Sequence, residues 1–171
     1  MPAQSAGLRS RTSAALAGVI FEKETDPSLW RLIESVLPAA ADGTLGRFEA
    51  ATVRDAARSF RRRAALTKDI AQREAALGSD GFQAWVAAKS AKDFRLFAPV
   101  LTEWVALTKE KCAAIDPARP PYDVCLDTFE RGMTSARLDR IFAEARPGAA
   151  KRGAPQGTAP HLISASESES A

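Results

Sequence analysis

The chain has 171 residues, 46% of them hydrophobic, with 24 basic and 21 acidic side chains and a formal net charge of +3. That length holds about one domain, and so mild a charge calls for no polyanion, so nucleic acid is not an expected partner. No apolar run approaches the ~20 residues needed to cross a bilayer, so no membrane role is expected either.

The first stretch, residues 1–25, carries Arg9, Arg11 and several serines, with no acid before Glu22. It is read as a flexible leader. An organelle transit peptide, which shares that bias, is the alternative to a cytoplasmic protein. Structure is expected to begin at Asp26-Pro27, a capping residue followed by proline at the first helical position. Leu29, Trp30, Ile33, Val36 and Leu37 then form a short amphipathic helix ending near Pro38. After the turn ADGT, Thr44 caps a long helix from about Leu45 to Leu77, whose apolar stripe is Val53, Phe60, Ala64, Ile70 and Leu77. That length predicts an antiparallel hairpin with the following segment. Gly78 closes the helix, and Ser79 or Asp80 opens the next, which runs through Trp85 towards Ser90.

Asp93 caps a helix from Phe94 to Ile115. Phe94, Phe97, Leu101, Trp104, Val105, Thr108, Cys112 and Ile115 recur along it at helical spacing and share one face. Pro99 either kinks this helix or marks its start, since an interior proline costs about 3 kcal/mol. Residues 116–121, DPARPP, form a stiff connector. Short helices follow over Tyr122–Phe129 and Thr134–Arg146, the second capped by Thr134 after the Gly132 break. From Pro147 to the end the composition turns to Gly, Pro, Ala and Ser, which predicts a disordered tail over 147–171. The fold class is all-α: antiparallel helical hairpins and a bundle, with the domain over 26–146.

Side chains that carry chemistry are few. Cys112 and Cys125 lack C-x-x-C spacing and are read as reduced thiols of a cytosolic protein. Arg58, Arg61, Arg62 and Arg63 wrap around a helix, so a solvated surface is expected rather than a phosphate site. Asp123, Asp127 and Glu130 lie at i, i+4 and i+7 and are expected to cap and to pair with Arg131 or Arg137, not to hold a cation. His161 is expected to be solvent exposed. Ser164 to Ser170, alternating with Glu167 and Glu169, resembles an acidic serine-rich phosphorylation segment.

Two blocks are more specific. The first sets Trp85, Ala88, Lys89, Asp93, Phe94, Phe97, Pro99 and Leu101 in the order W-x-x-A-(R/K)-x-x-x-D-F-x-x-F-x-P-x-L. The second sets Tyr122, Asp123, Leu126, Asp127, Phe129, Glu130, Gly132, Met133 and Thr134 in Y-D-x-x-L-D-x-(F/Y)-E-x-G-M-T. Together they resemble the carboxypeptidase Taq family of metal-dependent carboxypeptidases, over about Asp26 to Arg146 and most strongly after Phe82. The resemblance implies the amino-terminal helical part of a zincin-like enzyme. It also implies peptide substrates trimmed from the C-terminus, and one zinc or cobalt ion. A homodimer, or pairing with a full-length sibling, is implied as a partner.

The resemblance also implies a metal held by H-E-x-x-H on a helix, where two histidines one turn apart share the ion and the glutamate is general base. The sequence holds 1 histidine, His161. The HPF, D-x-R-x-T and I-R-x-x-A-D motifs, and the early W-D-x-x-x-x-M-P segment, are not found in it. No catalytic or metal-ligating residue is therefore assigned, substrate-binding residues are unknown, and no cofactor is expected in this chain. Trp85, Phe94, Phe97, Trp104 and Tyr122 are read as helix packing. The expectation is a truncated carboxypeptidase, inactive alone, and its alternative is a non-catalytic helical protein-interaction module.

Overall fold

The computed structural model describes residues 6–152, and among them no strand occurs. The elements are α1 (Ala6–Glu24), α2 (Pro27–Ala41), α3 (Arg47–Ala64), α4 (Lys68–Ala91), a 3-10 turn (Phe94–Leu96), α5 (Ala98–Ile115), α6 (Pro121–Phe129) and α7 (Ser135–Arg152). The all-α class with antiparallel hairpins is what the periodicity predicts.

Residues 6–24 are not a flexible leader but helix α1, antiparallel to α4. Ser10 Oγ donates to Asp80 Oδ2 at 2.9 Å, and one helix-length later Lys68 pairs with Glu22. The contact face is made of small residues: Ser10 and Gly18 are buried, with Ala14, Ala17 and Phe21 partly so. Leu8, Leu16, Val19 and Ile20 face away and are exposed. A hydrophobicity pattern misses such a face, because close backbone approach rather than bulk makes the contact.

α2 begins where Asp26 and Pro27 predict, with the Ser28 N–H donating to Asp26 Oδ1 at 2.7 Å. It runs past Pro38 to Ala41, and the Asp42 N–H returns to the Pro38 carbonyl at 3.0 Å. Proline removes one donor there without stopping the last turn. α2 and α3 form an antiparallel hairpin. Trp30 and Phe60 stack with centroids 5.2 Å apart, and Arg54 Nη1 donates to the Ala40 carbonyl at 3.2 Å. The start expected at Thr44–Leu45 falls instead at Gly46–Arg47.

The long helix expected over 45–77 is two helices. Thr67 adopts an extended backbone and its Oγ1 accepts the Ile70 N–H at 3.2 Å, an N-cap that opens α4. Leu66 is thereby turned into the core with Ile70 and Leu107, and Phe21, Leu77 and Ile115 pack around them. The stop expected at Gly78 is absent, and α4 continues to Ala91. A Cβ at Gly81 would lie 3.1 Å from Trp104 Nε1 and 3.3 Å from Val100 Cγ1. Gly81 thus admits the Trp104 ring of α5, and neither Gly78 nor Gly81 breaks the helix. The pair is antiparallel: Arg73 grips Glu110 with two bonds of 3.0 and 2.9 Å at the other end.

Lys92, at φ 52, closes α4 in the left-handed region. Asp93 caps the 3-10 turn by accepting the Arg95 N–H at 3.0 Å. Pro99 sits in the first turn of α5, so it marks the helix start and makes no kink. The three prolines of the connector deliver α6 on schedule. α7, which Thr134 caps by accepting the Arg137 N–H at 3.2 Å, passes the boundary expected at Arg146 and continues through Pro147 to Arg152. His161 and the acidic serine segment lie outside the described residues.

Candidate functional site

The best-built polar constellation joins α6 to α3 and α7. Pro121 in the first turn of α6 fixes its direction, and the four-residue step from Asp123 to Asp127 puts both carboxylates on one face. Both are buried. Asp123 Oδ1 accepts the Ser135 N–H at 2.8 Å and so holds the first turn of α7. Asp127 Oδ1 accepts the Gly132 N–H at 2.9 Å, across a turn that Gly132 makes at φ 76. Asp127 Oδ2 accepts Arg62 Nη1 at 3.0 Å and also Arg58. Arg62 Nη2 reaches Thr128 Oγ1 at 2.8 Å.

These bonds favour the ionised form. The Gly132 N–H, with Arg58 and Arg62 behind it, holds the Asp127 carboxyl below its ordinary value against the opposing effect of burial. The Ser135 N–H does the same for Asp123.

The arginine cluster is therefore not a merely solvated surface. Arg61, Arg62 and Arg63 do wrap around α3, and each finds a separate partner. Arg61 lies 4.9 Å over the Trp30 ring, Arg62 binds Asp127, and Arg63 Nε donates to Glu24 Oε2 at 2.7 Å. Arg58 and Arg62, one helical turn apart, converge on one carboxylate. That i, i+4 spacing was the signal available in the sequence. Capping by Asp123 and Asp127 is as expected, but pairing is with Arg58 and Arg62 in place of Arg131 and Arg137. Arg131 binds Asp55 at 2.7 Å, and Glu130 is exposed outside the constellation.

Beside it lies a cleft of about 320 Å³ lined by Arg62, Lys111, Cys112, Val124, Cys125 and Thr128. Cys112 is buried and Cys125 half-buried, with their sulfurs 3.5 Å apart. Burial and the adjacent Cys125 thiol push Cys112 up to about 11.

A divalent ion would need three or more converging donors, and among the described residues no group of three His, Cys, Asp or Glu could supply them. Asp123 and Asp127 are committed to backbone N–H groups and guanidinium ions. The donor set present does not fit a hydrolytic metal. The constellation is a structural clamp.

Two aromatic pairs lie along α4 and the 3-10 turn: Phe82 meets Trp85 at 6.1 Å, and Phe94 meets Phe97 at 6.4 Å. The packing role expected of Trp85, Phe94 and Tyr122 is not fulfilled within these residues. Phe94 is 63% exposed, Tyr122 61% and Trp85 44%. Phe97 and Trp104 are partly buried, Trp104 against Gly81.

Comparison with known proteins follows the same lines. The family model described as carboxypeptidase Taq (M32) metallopeptidase matches residues 1–152. Thermostable carboxypeptidase 1 of Thermus thermophilus is 32% identical over 82% of this chain and 29% of its own length. Its namesake in Pyrococcus furiosus is 27% identical over 83% and 28%. Among solved structures, the BsuCP crystal structure superposes with a TM-score of 0.76 at 26% identity, over 86% of this chain and 29% of that one. Metallocarboxypeptidase 1 of Trypanosoma cruzi gives 0.67 at 27% identity, over 88% and 30%. The chain thus spans under a third of the length of each of these relatives.

Proposed function

The chain belongs to the carboxypeptidase Taq (M32) metallopeptidase family, and from that membership we propose that it forms the amino-terminal helical part of an enzyme releasing amino acids from peptide C-termini. The observation that carries this reading is the superposition on a family structure at TM-score 0.76 over 29% of that chain.

The role proposed for the helices is to wall and shape the peptide-binding side of the enzyme. Hydrolysis needs a metal-activated water and a general base. The donor set among these residues does not fit that metal, so no step of the reaction is assigned to them, and the 171 residues are inactive by themselves. The catalytic groups would come from a polypeptide corresponding to the rest of a family member.

The test is amino-acid release from a peptide with a free C-terminus, in the presence of zinc or cobalt. The purified chain alone should release nothing above background. Mixed with a separately produced polypeptide spanning the remaining part of a family carboxypeptidase, it should support release that a chelator removes. Chelator-sensitive release by the 171 residues alone would overturn their inactivity. Failure of the two parts to associate would overturn the proposed role.

A second reading, a non-catalytic helical interaction module, is supported by the exposed aromatics of α4 and the 3-10 turn. Retention of a stable second copy, with no gain of peptidase activity on mixing, would favour it.

A further inference from the structure

We propose that Cys112 and Cys125 are a redox modification site, a dithiol that closes reversibly into a disulfide and staples α5 to α6. The sulfurs stand 3.5 Å apart, so closure to the ~2.05 Å of a disulfide asks for about 1.5 Å of approach, within reach of small side-chain rotations. The two residues lie on different helices joined by the connector with Pro117, Pro120 and Pro121, so the proximity is made by the fold and held by a stiffened segment. Neither thiol serves the Asp127 clamp, yet both border it: the same cleft is lined by Arg62, which grips Asp127.

The two sulfurs differ in access, which sets the order of events. Both line the cleft, but Cys125 is half-buried and is the entry point for a small oxidant, whereas Cys112 is only 4% exposed. The co-reactant is a low-molecular-weight disulfide. The Cys125 thiolate attacks one of its sulfurs, forming a mixed disulfide and expelling one small thiolate. Cys112, losing its proton to solvent, then attacks the Cys125 sulfur and expels the second small thiol. The protein dithiol has lost two electrons and two protons, and the reagent has become two thiols. Burial and the Cys125 thiol disfavour the Cys112 thiolate, and Lys111 and Arg62 oppose this only in part, so the second step is the slower one and quickens as pH rises. The product fixes α6, and with it the Asp127 and Asp123 anchors, to the end of α5.

The experiment equilibrates the full chain in glutathione–glutathione disulfide mixtures, folded and in denaturant, and quantifies the Cys112–Cys125 bond by peptide mass mapping. Preorganisation predicts an effective thiol concentration at least about tenfold higher in the folded chain than in the unfolded one. In the folded chain, Cys112→Ser should accumulate the mixed disulfide at Cys125. Cys125→Ser should leave Cys112 largely unmodified. A folded-to-unfolded ratio of one or below would overturn the proposal. So would oxidation found only between separate chains, or equal modification of the two single variants. None of these readouts depends on peptidase activity, so failure here leaves the family role untouched.

Discussion

Asp127 ties α3, α6 and the Gly132 turn together, because one buried carboxylate satisfies two arginines and a glycine N–H. Its 8% side-chain exposure means that removing the charge strands two guanidinium groups that are themselves only 32% and 24% exposed. Breaking a buried pair costs ~3–5 kcal/mol, and partial solvation of the arginines reduces this, so Asp127→Ala should destabilise by about 2–3 kcal/mol in urea unfolding. The pH dependence has a definite sign. The folded carboxyl lies below its ordinary value, so its stabilisation is complete above the unfolded value of ~3.9 and is lost as pH falls through the folded one. Thermal melts should show the wild type losing stability steeply below about pH 4, with the Asp127→Asn variant less stable at neutral pH and flatter in acid. Equal acid slopes in the two proteins would remove Asp127 from the account. The capping half of this arrangement was readable in the i, i+4 acids of α6. The pairing half was not, because Arg58 and Asp127 are far apart in sequence and only the fold makes them neighbours.

At the scale of elements, helix existence was legible and helix extent was not. Asp26-Pro27, Asp93, the connector prolines and Thr134 are chemical punctuation whose meaning is local, and each does in the structure what its residue type dictates. Thr67 is punctuation of the same kind, hidden because charged residues on both sides continue a helical pattern. Gly81 is the converse: a residue type that normally ends helices, accommodated inside α4 where Trp104 and Val100 of α5 press on it. The same argument covers α1, whose small-residue face carries little hydrophobic signal. If close approach is the reason for Gly81, adding bulk there must push Trp104 away. Gly81→Val gains only a few tenths of a kcal/mol in helix propensity and should cost about 2 kcal/mol net by overpacking. Chemical denaturation measures this directly, and Trp104 fluorescence should shift towards that of a more exposed indole. A neutral or stabilising Gly81→Val would mean that α4 and α5 are looser than the 3.1 Å approach implies.

For the molecule as a whole, the decisive feature is how little large apolar surface lies inside. Among the described residues the buried apolar side chains are alanines and branched aliphatics in equal number with Cys112, no aromatic ring is among them, and Val124 is the largest side chain below 2% exposure. Meanwhile Phe82 is 60% exposed, Phe94 63% and Trp85 44%. The sequence reads Trp85 and Phe94 as helix packing, because helical spacing reveals that a face is apolar without revealing what covers it; Phe82 carries no such expectation. Covering each would stabilise by about 2 kcal/mol at ~25 cal/mol per Å². That energy is unrealised within the chain and is available on contact with another polypeptide. Replacing Phe82, Trp85 and Phe94 together by serine should therefore change the melting temperature of the monomeric chain only slightly. The same triple variant should lose most binding of a hydrophobic dye. It should also lose association with the complementary part of a family carboxypeptidase by at least about a hundredfold in Kd. Calorimetry and titration separate the two effects. A large drop in melting temperature with association intact would show that these rings support the helices themselves, as the periodicity first suggested. A stable monomer that no longer associates would identify them as the surface through which the chain meets the proposed complementary polypeptide.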